Sequence, residues 1–170
     1  MFNNLKADLK RHTPFSPYVL FEQGLWAVIV YRYGRWVRNV QVPLVSLFLR
    51  MTAFVLFKAM EVTTGISIPA SAKIGKGFFI GHFGGIIVHA EVQMGENCSI
   101  GPGVVIGARG LGRQGVPQLG NNVYVGVGAK ILGHVKIGNN VRIGANAVVI
   151  TDVPDNATVI GVPGRIIEKS

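Results

Sequence analysis

Residues 119–150, LGNNVYVGVGAKILGHVKIGNNVRIGANAVVI, decide the fold of this 170-residue chain. An aliphatic residue recurs there at every sixth position: Leu119, Val125, Ile131, Ile137, Ile143 and Val149. Four residues after each of them stands Ala or Val, and glycine usually follows the aliphatic residue directly. A fixed short period of this kind is the signature of a solenoid built from stacked units.

The same period continues toward the N-terminus. Its earlier members are Ile68, Ile74 and Ile80 and, after a shift of two residues, Val88, Met94, Ile100 and Ile106. Thirteen hexads result, and nine of them carry glycine immediately after the aliphatic residue. Such regularity over most of residues 65–170 predicts one repetitive domain.

The physical chemistry of the hexad suggests a triangular coil. Each hexad provides a short strand and a turn, and three hexads complete one coil. The aliphatic side chain fills the interior, while the alternation of strand side chains turns its neighbours outward. Glycine supplies corner dihedrals that a side chain would forbid. We therefore predict a mainly β protein, a parallel β-helix closed by the segment Val159–Ile167.

The first 64 residues follow another pattern and predict an α-helical N-terminal region. Only Gly24 and Gly34 occur there, against 21 glycines from Gly65 on. Apolar residues at three-to-four spacing predict one helix over Leu20–Val37 and a second over roughly Pro43–Glu61. Residues 1–17 are expected to be a helical arm or loop.

Composition excludes several classes of protein. The formal net charge is +9, yet the basic residues are spread along the chain and no nucleic-acid motif accompanies them, so nucleic acid is not an expected partner. A single cysteine, Cys98, rules out an internal disulfide framework, and no cluster of metal ligands is visible. A reduced, cytoplasmic compartment fits this cysteine usage.

Two interruptions of the period are the candidate functional positions, because irregularities in a regular fold are expected at functional sites. One is the shift near Ile86, flanked by His82 and His89. The other is the insertion Ala108–Gln118, ARGLGRQGVPQ, which predicts a protruding loop at residues 107–118 that carries Arg109 and Arg113.

His82 is the strongest candidate for a catalytic group. It lies in IGHFGG, where glycines leave space for another molecule, and imidazole exchanges protons near neutrality. The other histidines are weaker: His12 is expected to be solvated, and His134 occupies an ordinary turn. Cys98 takes an inward position, which indicates a buried structural cysteine.

The whole chain resembles a short member of the serine O-acetyltransferase family of hexapeptide-repeat acyltransferases. The similarity rests on YRYGRW, on GISIPASAKIGKGFFIGH, and on GVGAKILG, GANAVV and GVPGRI. It covers roughly residues 20–167. The short length and the RG…P loop are most similar to acetyltransferases of exopolysaccharide synthesis, of the colanic acid type.

This resemblance implies a left-handed β-helix, a homotrimer with active sites between subunits, and acetyl-CoA as donor without a metal. It places the catalytic histidine on His82. The expected cofactor contacts are Ala108, Arg109, Gly126, Val127, Gly144, Ala145 and Arg165. Arg109 and Arg113 would hold cofactor phosphates or an anionic sugar, or simply be solvated.

Departures from the family pattern concern the acceptor. The family's histidine-orienting aspartate falls on Ser67, and a second aspartate falls on Gly81. The arginine and histidine that serve the amino-acid substrate fall on Gly115 and Val116. We therefore expect His82, steadied by Ser67 or by Glu91, to deprotonate a sugar hydroxyl.

The expected substrate contacts are Arg113, His89 and Glu91. Two alternatives stay open: serine O-acetylation for cysteine synthesis, and a non-catalytic β-helix scaffold. The apolar segment Val42–Phe57, interrupted by Arg50, predicts either a helix packed on its own trimer or one lying on a membrane surface, which would put the enzyme at the inner face of the membrane.

Overall fold

The computed structural model describes residues 2–12, 22–110 and 115–167, and it has the predicted architecture, a left-handed parallel β-helix preceded by helices. The helices are α1 (Phe2–Leu9), α2 (Gln23–Val37) and α3 (Pro43–Thr64). Strands begin at Ile66, directly after the glycine that ends α3. The helices therefore stand at the N-terminal end of the column of coils.

Three parallel sheets form the sides of the column. Face A contains β1 (Ile66–Ser67), β4 (Ile86–Val88), β7 (Val105–Gly107), β10 (Lys130–Leu132) and β13 (Val148–Val149). Face B contains β2 (Lys73–Ile74), β5 (Gln93–Met94), β8 (Gln118–Leu119) and β11 (Lys136–Ile137). Face C contains β3 (Phe79–Ile80), β6 (Ser99–Ile100), β9 (Tyr124–Val125), β12 (Arg142–Ile143), β14 (Thr158–Ile160) and β15 (Arg165–Ile167). Among these strands of the described residues, β15 alone runs antiparallel, and it closes the C-terminal end against β14.

The aliphatic residue of every hexad lies inside the column. Stacked members pair in register one coil apart, as in Ile80 with Ile100 and Ile131 with Val149. At the two-residue shift, Ile86 takes the second inward position, which Ala or Val holds in ordinary hexads, and it is fully buried. A core of close-packed aliphatic rungs is stabilised by about 25 cal/mol for each Å² of apolar surface removed from water.

The three corners between the faces differ in chemistry. At the corner between faces B and C, asparagines in the left-handed region stack on one another: Asn122 Nδ2 donates to Asn140 Oδ1 at 3.0 Å, and Asn140 Nδ2 donates to Asn156 Oδ1 at 2.9 Å. Asparagine tolerates this backbone conformation better than other residues with a side chain. This corner is therefore filled by its own side chains.

A buried ion pair joins the helices to the first coil. Arg32 of α2 donates to both carboxylate oxygens of Asp8 in α1, at 2.7 and 3.1 Å. The same guanidinium donates to the carbonyl oxygens of Ile74 and Gly75, and the Phe78 N–H donates to Asp8 at 2.8 Å. The hydrogen-bond partners of the buried Asp8–Arg32 pair thus come from the first coil, which the pair connects to α1 and α2.

The end of α3 and the burial of His12 differ from the sequence expectations. Helix α3 runs to Thr64, one turn beyond the predicted end near Glu61, because Gly65 adopts φ 68° and caps the helix through a bond from its N–H to the Glu61 carbonyl. His12 is buried rather than solvated: its Nδ1 lies 2.6 Å from Glu22 Oε2, and its ring packs on Phe79 at 4.7 Å between centroids.

Helix α3 is long and apolar enough to cross a membrane by length and composition alone. Its most apolar window has a mean hydropathy of 1.5, and only 6 % of that window is buried inside the structure. Most of the surface of this helix is therefore open to whatever surrounds the described chain.

We predict that breaking the Asp8–Arg32 pair will be costly. Asp8→Ala should lower the free energy of unfolding by about 3–5 kcal/mol, because it leaves a buried guanidinium without its counter-charge. Urea unfolding followed by circular dichroism measures the change. Glu96→Ala, which removes the exposed partner of Lys76, is the matched control and should cost at most about 1 kcal/mol. Equal costs in the two variants would contradict this account of the pair.

Candidate functional site

His82 lies on the turn between β3 and β4, where faces C and A meet. The two extra residues of the register shift widen this turn, and Gly84 and Gly85 carry it with φ values of 111° and 62°, which favour glycine. The imidazole is exposed, and no hydrogen bond to it occurs within residues 2–12, 22–110 and 115–167. The predicted base is thus presented outward at the N-terminal end of one corner.

Below His82, the corner between faces C and A forms a smooth column. Glycine begins three successive turns, at Gly101, Gly126 and Gly144, and the next residues are Pro102, Val127 and Ala145. A Cβ on Gly101 would lie 3.0 Å from the Val127 nitrogen, and one on Gly126 would lie 2.8 Å from the Ala145 nitrogen. Only glycine allows these turns to stack so closely.

The corner column carries one asparagine at these three turns, Asn146, and its Oδ1 lies against Gly128 of the turn above. Val127 is half exposed and Ala145 is exposed, so an extended ligand can approach the backbone closely. The backbone carries the N–H and C=O groups that such a ligand can pair with. The corner column is therefore shaped for a long, thin molecule.

Arg165 lies at the opposite end of the corner column from His82. It pairs with Ile160 across β14 and β15, and a Cβ on Gly144 would lie 2.9 Å from the Ile160 side chain. Four coil spacings of about 4.8 Å separate the two ends, so the column is about 19 Å long. The imidazole at one end suits the reactive group of a long ligand, and the guanidinium at the other end suits a phosphate of that ligand.

The remaining predicted contacts lie at the other edge of face A, at its corner with face B. His89 and Glu91 follow β4 there, and the Glu91 N–H donates to His89 Nδ1 at 3.2 Å. Ala108 and Arg109 begin the loop one coil below, where a Cβ on Gly133 would lie 3.2 Å from Arg109 Cβ. Arg113 lies outside the described residues.

The site residues therefore form two groups within one chain. His82 and the corner column lie on one edge of face A, whereas His89, Glu91, Ala108 and Arg109 lie on the other. The full width of a sheet separates these edges. Glu91 is thus on the wrong edge to steady His82 of the same chain.

Ser67 has a partner that the sequence analysis missed. Its hydroxyl donates to Glu61 Oε1 at 2.7 Å. The hydrogen bond from Lys58, followed by the one from Ser67, holds the pKa of Glu61 below its usual value. Gly65, which caps the same helix end, packs against Gly84 and Gly85 of the His82 turn. The sequence signal that could have found Glu61 is Gly65, because a glycine cap there puts Glu61 in the last turn of α3, beside β1.

Other reactive groups are excluded by burial or by position. Burial raises the pKa of the Cys98 thiol to about 11, so it stays protonated at neutral pH and is not a nucleophile. Within residues 2–12, 22–110 and 115–167, no three His, Cys, Asp or Glu residues stand close enough together to hold a metal ion. Acid–base chemistry at His82 is what this arrangement supports.

Comparison with known sequences gives one family. Residues 117–151 match the family model for the bacterial transferase hexapeptide (six repeats). A serine acetyltransferase from Synechococcus elongatus is 37% identical over 180 aligned residues, covering 100% of this chain and 70% of the relative. A serine acetyltransferase from Staphylococcus aureus is 45% identical over 107 residues, covering 62% of this chain and half of the relative.

Solved structures agree with the sequence relatives. Serine acetyltransferase from Brucella abortus superposes with a TM-score of 0.85 at 29% identity, covering 99% of this chain and 69% of that one. Its complex with coenzyme A superposes with a TM-score of 0.84 at the same identity, with coverage of 99% and 68%. The length, identity and fold shared with these relatives show that the chain belongs to the serine acetyltransferase family of hexapeptide-repeat acyltransferases.

Proposed function

We propose that this chain transfers an acetyl group from acetyl-CoA to a hydroxyl, and that serine is the acceptor. The relatives are named for this activity, and one of the superposed structures holds coenzyme A. The observation that carries the proposal is the corner column, which has His82 at one end, Arg165 at the other and glycine turns between them. It fits a pantetheine arm with its thioester beside the imidazole.

The reaction needs one base and one acid, and His82 serves as both in turn. The imidazole accepts the hydroxyl proton while the oxygen attacks the acetyl carbonyl carbon. The carbonyl electrons move to oxygen and return as the carbon–sulfur bond breaks. The imidazolium then gives its proton to the departing CoA sulfur. Backbone N–H groups of the glycine turns are suited to stabilising the transient oxyanion.

We propose that the complete site forms between copies of the chain in a homotrimer. A single chain puts its two groups of site residues on opposite edges of face A. A neighbour that set its face A–B corner against the corner column would bring Ala108, Arg109 and His89 to the CoA groove. The cofactor contacts expected from the sequence come from both edges, which supports this arrangement.

Ser67 and Glu61 are proposed to position His82. The family places an aspartate where this chain has Ser67, and here a carboxylate reaches the same place from α3. The hydroxyl of Ser67 can orient the imidazole only if its own proton is engaged elsewhere, and Glu61 Oε1 engages it. The negative charge then favours the imidazolium that forms during the reaction.

A sugar hydroxyl is the second candidate acceptor, because two predicted serine-binding positions cannot carry charged groups. Gly115 has φ 101°, and a Cβ there would lie 2.6 Å from His134 Cβ, so the arginine of the family pattern does not fit. Val116 packs against the apolar core instead of offering a polar group. A serine carboxylate would lose those partners, whereas a neutral sugar would not need them.

His82→Ala should lower kcat about 10²–10⁴-fold, the range expected for loss of a positioned general base. Release of the CoA thiol measures the rate, and calorimetry with CoA should show nearly unchanged affinity. Glu96→Ala, an exposed residue on the corner between faces B and C and away from both groups of site residues, is the control and should keep full activity. Normal turnover in His82→Ala would contradict the proposed base.

Ser67→Ala and Glu61→Gln should each lower kcat at least about tenfold, since a hydrogen bond to a charged group is worth about 1.5–3 kcal/mol. The double variant Ser67→Asp/Glu61→Gln should recover activity, because it moves the carboxylate directly to the strand. Steady-state assays with a constant KM for acetyl-CoA are the readout. Failure of the double variant to exceed both single variants would refute the positioning role.

The acceptor is tested by measuring CoA release with L-serine and with a panel of neutral and acidic sugars. We expect kcat/KM for serine to exceed that for every sugar. Saturable turnover with a sugar and none with serine would replace serine by the second candidate. Absence of CoA binding in calorimetry would identify a scaffold that has kept the fold without the chemistry.

A further inference from the structure

One side of α3 carries an apolar stripe that nothing in the described chain covers. Its residues are Leu44, Phe48, Met51, Val55 and Val62, and each side chain is between 63 % and 84 % exposed. Their spacing puts them on one side of the helix. A continuous exposed apolar surface of this kind marks an interaction site.

The opposite side of α3 accounts for its contacts with the rest of the protein. Ser46 and Thr64 are buried there, and on the flank of the helix that faces α2 the Thr52 Oγ1 lies 2.9 Å from the Tyr33 hydroxyl. The outer stripe therefore points away from both α2 and the β-helix. It is available to a partner without any rearrangement of the fold.

A groove of about 300 Å³ adjoins the stripe, between α2, α3 and the first coil. Apolar side chains line it, including Val37, Phe57 and Ile68. Arg38 and Arg50 also line it, and both are exposed. Phe54 belongs to the groove and is 62 % exposed, so it joins the groove to the stripe.

The two arginines are free to bind an anion. Neither Arg38 nor Arg50 has an ion pair or side-chain hydrogen bond within residues 2–12, 22–110 and 115–167. The acidic residues of the helical region are already engaged: Asp8 with Arg32, Glu22 with His12, and Glu61 with Lys58. Residues 1–64 contain eight Lys or Arg and three Asp or Glu. This end of the molecule is therefore positively charged where it is also most apolar.

We propose that the outer stripe of α3, with the groove bordered by Arg38 and Arg50, docks on the surface of an anionic phospholipid membrane. The apolar side chains would enter the boundary between headgroups and acyl chains, and the guanidiniums would bind lipid phosphates. Arginine suits phosphate because it donates hydrogen bonds in pairs. The proposal concerns location and does not depend on the reaction at His82.

The helix lies on the membrane in this proposal and does not cross it. Crossing would place the Arg50 charge near the middle of the hydrocarbon layer, which is costly. It would also strip α3 of its packing against α2, including the Tyr33–Thr52 hydrogen bond. Lying flat buries only the stripe that is already exposed and leaves those contacts intact.

The test is sedimentation of the full chain with phosphatidylcholine vesicles, with and without phosphatidylglycerol. We expect binding to the phosphatidylglycerol vesicles that weakens as salt rises. Phe48→Glu should reduce it at least about tenfold, because it sets a carboxylate in the apolar contact. Ile166→Glu, which alters an exposed apolar residue of β15, is the matched control and should bind normally.

Arg38→Gln and Arg50→Gln should each weaken vesicle binding about fivefold, whereas Arg142→Gln, an exposed arginine of β12, should have little effect. Soluble acetyltransfer should be unchanged in all of these variants, which separates a failure here from a failure at His82. Equal sedimentation with and without phosphatidylglycerol, or normal binding by Phe48→Glu, overturns the proposal. A different outcome would assign the stripe to a second copy of the chain and overturn the proposal. In that outcome the parent chain binds no vesicles, and light scattering shows that Phe48→Glu splits a larger assembly.

Discussion

Aliphatic side chains stacked inside a three-sided column fix the position of every other part of this molecule. Once Ile80 sits on Ile100 and Ile131 on Val149, every corner repeats at the spacing of neighbouring strands, about 4.8 Å. A corner then becomes a straight edge along the molecule. The chemistry of that edge is decided by three or four residues per turn, and these are free to vary because they do not fill the core.

The three edges of the column show what this freedom allows. Asparagines line one edge with a ladder of side-chain hydrogen bonds between successive turns. The second edge is built mainly from glycine, proline, valine and alanine, with Asn146 in its β12–β13 turn, and the register shift at its N-terminal end presents His82. The third edge carries the long loop with Arg109. In the proposed function, two of these edges from neighbouring copies meet at the site, and the rigid core fixes their positions.

Much of the fold could be predicted from the sequence because the signal is repeated thirteen times. One rule, an aliphatic residue every six positions, locates the strands from Ile68 to Val149 and the buried position of Cys98. Single events were harder to predict. His12 is buried against Phe79 through a contact that no local pattern encodes, and Ile86 enters the core only because two added residues shift the register.

The candidate site likewise has a part that the sequence predicts and a part that only the structure shows. Sequence motifs were sufficient to single out His82 and the glycine turns, whose places along the chain follow from the repeat. They did not reveal Glu61, because its contact with Ser67 bridges a helix end and the first strand, and only the Gly65 cap brings the two together. Nor did they show that the predicted contacts fall on two edges of one face, which is a property of the coil and not of any motif.

The corner column between His82 and Arg165 is proposed to bind the thioester donor at a boundary between copies of the chain. A crystal structure of the protein with coenzyme A tests this most directly. We expect the sulfur beside the His82 imidazole, the pantetheine arm along Gly126 and Gly144, and Ala108 of a neighbouring copy on the far side of the groove. Coenzyme A bound along the asparagine-lined corner, or held within one chain away from any neighbour, would contradict it.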